Sequence, residues 1–137
     1  MSKKKGNSCL GIPEQTKEFT KPYSVNIEKE TLSNRDFRHV LHTSPYMQLV
    51  LMSLEPGEEI GVEVHPYTTQ FFRVESGTGI ALINKKSYSL GNGDVVIIPP
   101  GNVHNIINLS ESEPLQLYTI YAPPHHPPKT TQRNKPV

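Results

Sequence analysis

A chain of 137 residues with a formal net charge of +1 suits one domain with one core, and it carries no global field that would draw it toward nucleic acid or an anionic membrane. Only 34% of the residues are apolar while 13 are proline, a balance that makes sense once polar ends are separated from an apolar middle. No apolar run approaches the length of a signal core or a membrane span, and Cys9 is the single cysteine. An internal disulfide is thereby excluded, and a reducing, cytoplasmic home is expected.

In chain order, residues 1–22 hold Lys3, Lys4 and Lys5 with no periodic apolar pattern, and read as an extended arm. Three lysines are a short run, and a solvated terminus explains them better than a nucleic-acid address. A brief turn near Glu28–Leu32 is the one helical candidate. From there to residue 122 the chain is punctuated by turn chemistry such as Glu55-Pro56-Gly57, Gly77-Thr78-Gly79, Asn84-Lys85-Lys86, Gly91-Asn92-Gly93 and Pro99-Pro100-Gly101. Between these signals lie nine short runs rich in β-branched and aromatic residues: 37–42, 47–54, 59–65, 70–75, 79–83, 87–90, 95–98, 103–108 and 115–121. Short strands at that spacing predict an all-β sandwich or barrel over 23–122. Residues 123–137 include Pro-Pro-His-His-Pro-Pro and read as an extended Pro-rich tail in which His125 and His126 are solvated.

Alternation within the strands adds detail. Val62 and Val64 share one face and Glu63 and His65 the other; Gln70, Phe72 and Val74 oppose Phe71 and Arg73. A barrel turns one face inward, so polar members there are costly unless they bind something. Apolar outer faces then predict cover by a second subunit, giving a homodimer, or by the N-terminal arm.

Two spaced patterns stand out. The first is Gly57, five residues, Glu63-Val64-His65, four residues, Gln70, six residues, Gly77. The second is Gly93, five residues, Pro99, one residue, Gly101, two residues, His104, three residues, Asn108. Together they resemble the two motifs of the cupin superfamily. The second matches at every defined position. The first matches in spacing, with Glu63 in place of the first histidine and Gln70 in place of the glutamate. Further likeness over 25–130, including the runs beginning at Tyr46, Gln70 and Leu117, resembles single-domain cupins of the mannose-6-phosphate-isomerase-like subgroup. An acidic residue is usual there just before the glutamine, and this chain has Thr69. The resemblance implies a double-stranded β-helix, or jelly-roll barrel, holding one divalent metal ion on Glu63, His65, Gln70 and His104.

The residue chemistry agrees. Two imidazoles, one carboxylate and one amide oxygen form a mixed set that suits Zn, Fe, Mn, Ni or Co without choosing among them, and leaves positions open to a small-molecule ligand. Gln70 could equally be a hydrogen-bonder in the pocket. Gln48, Phe72, Tyr118 and Tyr121 are candidate substrate contacts, with strand phase leaving open which tyrosine faces inward. No catalytic base is evident.

Three functions fit these residues. The first is a metal-assisted isomerase or epimerase step on a sugar or sugar phosphate. The second is an Fe(II)-dependent dioxygenase using the two-histidine, one-carboxylate set. The third is a non-catalytic ligand-binding module.

Overall fold

The computed structural model describes residues 20–137. The readings of Cys9, of Lys3–Lys5 and of nearly all of the 1–22 arm lie outside these residues. One helix, α1 (Ile27–Ser33), precedes nine strands: β1 (Arg38–Ser44), β2 (Met47–Leu54), β3 (Thr69–Ser76), β4 (Gly79–Ile83), β5 (Lys86–Leu90), β6 (Val95–Ile98), β7 (His104–Asn108), β8 (Leu115–Ala122) and β9 (Thr131–Gln132). The strands build a six-stranded sheet in the order β6-β3-β8-β2-β1-β9 and a three-stranded sheet in the order β5-β4-β7, with antiparallel pairing throughout. This is the all-β arrangement the turn spacing predicted, in the jelly-roll form that the family resemblance implied.

The inner face of the large sheet is set by register. Gln48, Tyr121, Gln70 and Ile98 lie side by side across β2, β8, β3 and β6; Val50, Thr119, Phe72 and Val96 form the next row, and Met52, Leu117 and Val74 the third. The last row and its neighbours Leu54, Leu115, Ala81, Leu90 and Ile106 are fully buried and apolar. One end of the barrel is therefore a packed hydrophobic core, and the other is lined by polar side chains. Burial of this apolar end is the main stabilising term.

Local chemistry explains the connections. The β4–β5 hairpin turns on Asn84 and Lys85, both at positive φ, the two-residue geometry whose twist matches antiparallel strands. At Gly77 the backbone passes so close to Pro114 that a Cβ would sit 2.5 Å from its carbonyl oxygen, so the first motif's closing glycine is required by close approach. Helix α1 is capped by Asn26, whose Oδ1 accepts from the Lys29 amide at 3.0 Å. It packs on the outer face of the large sheet, where the Gln116 amide donates to Leu32 O at 2.9 Å.

Two expectations are corrected. Run 59–65 forms no continuous strand, and pairs with β7 through isolated bridges at Glu59–Ile107 and Glu63–His104; Gly61, at φ 113, breaks the extended backbone between them. Nor is the Pro-rich tail detached. β9 pairs with β1, Val40 N donates to Thr130 O at 2.8 Å, and Phe37 N donates to Arg133 O at 3.1 Å. The buried Gln48 amide fastens the tail further: Nε2 donates to His126 O at 2.7 Å, and Oε1 accepts from the His125 and His126 amides at 3.1 and 2.9 Å.

Candidate metal centre

Backbone geometry brings the candidate ligands together. Glu63 and His104 face each other as a reciprocal antiparallel bridge, each amide donating to the other's carbonyl at 2.9 Å. Directly opposed residues of such a pair project to the same side. His65 follows two residues later, its carbonyl held by the Gly101 amide at 2.9 Å. Gly101 itself sits at φ 86, a conformation that favours glycine in the Pro-x-Gly turn before His104. Gln70 enters from the large sheet, its Nε2 donating to Thr119 Oγ1 at 3.0 Å.

The side chains then bring their polar atoms to one point. His104 Nδ1 lies 2.8 Å from the Asn102 carbonyl, which can only accept, so Nδ1 carries the proton and the neutral ring's Nε2 is a bare lone pair. That Nε2 stands 3.1 Å from Gln70 Oε1, another acceptor once the Gln70 amide nitrogen is engaged by Thr119. His65 Nε2 is buried, makes no hydrogen bond, and lies 3.5 Å from Glu63 Oε1. The bare His104 Nε2 and Gln70 Oε1 repel unless a proton or a cation lies between them. Two ligands each about 2.1 Å from one ion are about 3.0 Å apart at a right angle and about 3.4 Å apart at the tetrahedral angle. The observed separations match. Ligand atoms of Glu63, His65 and His104 all fall within 4.8 Å of one another, so the residues fit a divalent ion, with Gln70 placed to join them.

Electrostatics favour the same state. Burial pushes the His65 pKa down, the nearby His125 ring adds to this, and the Glu63 carboxylate opposes without prevailing. A neutral imidazole is the ligating form.

The remaining predicted contacts separate. Phe72 is buried, its ring 6.5 Å from that of His104. Tyr121 is buried with its ring 5.8 Å from His65 and its hydroxyl 3.3 Å from His126 Nε2. Tyr118 is three residues away on β8 and so faces outward, where it stacks on Phe71 at 6.1 Å. Gln48 reaches the inner face, but its amide is committed to the tail. Sequence reasoning read His125 as solvated, and it is exposed, but that reading did not foresee its ring meeting His65 at 4.5 Å and stacking on Tyr121 at 5.4 Å. It also read His126 as solvated, whereas that ring is half-buried. A Pro-flanked segment gives no periodic signal of which strand it will return to.

Half-burial, the Arg38 cation and the His125 and His65 rings hold His126 down to a pKa of about 4. Its folded pKa is thus below the unfolded value of about 6.5. The stabilisation is present above the unfolded value and is lost as pH falls from about 6.5 through 4. Screening at a partly exposed ring limits the effect to about 1–2 kcal/mol. Urea titrations at pH 7.5 and 4.5 should show the loss, and His126→Gln should make it smaller. An equal loss in the variant would assign it to other groups.

A cupin domain model matches residues 50–121. The chain is a cupin. This cupin is 50% identical over 109 residues to the uncharacterised protein L612 of Acanthamoeba polyphaga mimivirus, the match covering 77% of this chain and 68% of that one. It is 42% identical over 121 residues to YrkC of Bacillus subtilis, covering 84% of this chain and 64% of that one. The cupin thus spans about two thirds of each curated relative's length. The crystal structure of BH2720 from Bacillus halodurans has 41% identity and a TM-score of 0.82, over 85% of this chain and 92% of that one.

Proposed function

We propose that this cupin binds a divalent metal on Glu63, His65 and His104, with Gln70 as a fourth ligand, and uses it to act on a small oxygen-rich molecule of the sugar or sugar-phosphate kind. One observation carries the reading: the ligand atoms of Glu63, His65 and His104 converge within 4.8 Å of one another, with Gln70 Oε1 3.1 Å from His104 Nε2. A bound divalent ion would supply Lewis acidity toward a carbonyl oxygen, the chemistry of an isomerase or epimerase step. The chain's own residues would do the rest. Phe72 and the apolar rows beneath it close the inner end of the site to water. Burial holds the Tyr121 hydroxyl protonated, so it serves as a hydrogen-bond donor to a substrate oxygen and is unsuited to be the base. His125, exposed beside His65, is the imidazole positioned to move a proton at the mouth.

The test is deuterium exchange. Metal-loaded protein incubated in D₂O with aldoses, ketoses and their phosphates should exchange a hydrogen beside the carbonyl, and His104→Ala should abolish it. The two-histidine, one-carboxylate grouping supports a second reading, an Fe(II) dioxygenase. Oxygen uptake by the iron-loaded protein without any proton exchange would replace the first reading with the second. No exchange and no uptake would favour a non-catalytic binding module.

Homodimerisation is part of the proposal. Val62 is 73% exposed, Val64 51% and Ile97 58%, an apolar outer surface of the kind that partners cover. Sedimentation at micromolar concentration should give twice the chain mass, and a monomer would remove this element.

A further inference from the structure

Arg38 is the one buried cation of the barrel's inner face among the described residues. It lies on β1 opposite Met52 and Gln132, and register places it on the same face as the three inner rows. It is 6% exposed. Its guanidinium donates through Nη1 to Gln132 Oε1, rests 5.0 Å from the Phe37 ring, and contacts the Tyr121 hydroxyl. Its Nε is buried without a hydrogen-bond partner. Among the described residues no carboxylate forms an ion pair with it. Every partner it has is neutral.

A guanidinium is always charged, so its burial cannot be relieved by losing a proton. Removing it from water costs several kcal/mol unless a counter-charge is present. Nothing among the described residues supplies that charge. Its position ties it to the metal centre through Tyr121, whose hydroxyl interacts with both Arg38 and Gln70, while Gln70 Oε1 is 3.1 Å from His104 Nε2. A planar fork with a free donor suits the oxygens of a carboxylate or phosphate.

We propose that Arg38 is the anion-recognition residue of this cupin, pairing with the carboxylate or phosphate group of a small substrate whose other oxygen reaches the Glu63, His65 and His104 cluster. This rests on the metal-site reading and narrows it. The substrate class becomes an anionic hydroxy or carbonyl compound, with Tyr121 donating between the two ends. Neutral sugars are disfavoured, since they leave Arg38 uncompensated.

The experiment is calorimetric titration of zinc-loaded protein with glycolate and glycerol 3-phosphate, against ethylene glycol and glycerol, which lack the anion. At least one anion should bind tenfold or more tightly than its neutral counterpart, and whichever does so identifies carboxylate or phosphate. Arg38→Gln should erase the preference while retaining wild-type zinc content, and Arg38→Lys should restore part of it. Equal binding of anionic and neutral probes by the wild type, or a preference that survives in Arg38→Gln, overturns the proposal. Should Arg38→Gln fail to fold, the wild-type preference and the Arg38→Lys titration decide. Should the wild type hold neither zinc nor any of iron, manganese, nickel and cobalt, the metal reading fails by itself. Thermal shifts of the metal-free protein with the same four probes then test Arg38 alone.

Discussion

Glu63→Ala, His65→Ala and His104→Ala should each strip the bound metal and leave the barrel folded. Loss of a supporting group around a metal typically weakens affinity about 10–100-fold, and loss of a ligand should exceed that range. Folding should survive because the three side chains sit at the polar end, away from the apolar rows of Val74, Leu115 and Leu117 that hold the sheets together. Glu63→Ala keeps its backbone bridge to His104, so register is preserved. His65→Ala and His104→Ala relieve the facing lone pairs, so the metal-free variants should be no less stable than the metal-free wild type by more than the lost packing. Elemental analysis beside far-ultraviolet circular dichroism separates the two effects. Wild-type metal content in all three variants would show that the ion is held elsewhere. Gln70→Ala should weaken binding less, since a neutral carbonyl oxygen contributes less than a carboxylate or imidazole.

A large stability loss is expected from Asn108→Ala. This residue closes the second motif, yet it makes no contact with the candidate metal centre. Its amide nitrogen donates to the carbonyls of Leu54, Glu55 and Glu113 at 3.0, 3.1 and 2.9 Å, and its Oδ1 accepts from Ser110 N at 2.9 Å. It is 1% exposed. Truncation leaves several backbone groups unpaired in a dry environment at about 1–3 kcal/mol each. A total near 3 kcal/mol corresponds to a fall in Tm of about 10 °C for a domain of this size. Metal content should be unchanged. A Tm within about 2 °C of wild type would mean that water replaces the amide. The motif therefore combines residues of two kinds: His104 faces the candidate metal centre, whereas Asn108 pins the end of β2 to the loop that follows β7.

Much of this was legible in the residues themselves. Turn chemistry at Gly77, Asn84-Lys85, Gly93 and Gly101 fixed where strands end, because only a few residue types accept those backbone angles. Alternation placed Glu63 with His65, and Gln70 with Phe72 and Val74, on common faces, since successive side chains of an extended chain point to opposite sides. The short helix near residues 28–32 was readable from its composition. The family resemblance then named four candidate ligands, and the structure brings them within reach of one another.

Other features depended on contacts distant in sequence. Whether Tyr118 or Tyr121 faces inward depends on the register of β8 against β2 and β3, a matter of pairing and not of local pattern. That His125 and His126 return to the barrel depends on Gln48, 77 and 78 residues earlier, whose buried amide must find partners. That Arg38 has no counter-charge among the described residues emerges only when the neighbours of β1, β8 and β9 are assembled, because desolvation is a property of the packed state. The chain by itself determined strand ends, strand faces and the ligand types. Folding decided which polar groups are shut away from water with their needs unmet, and those groups direct the chemistry of the site.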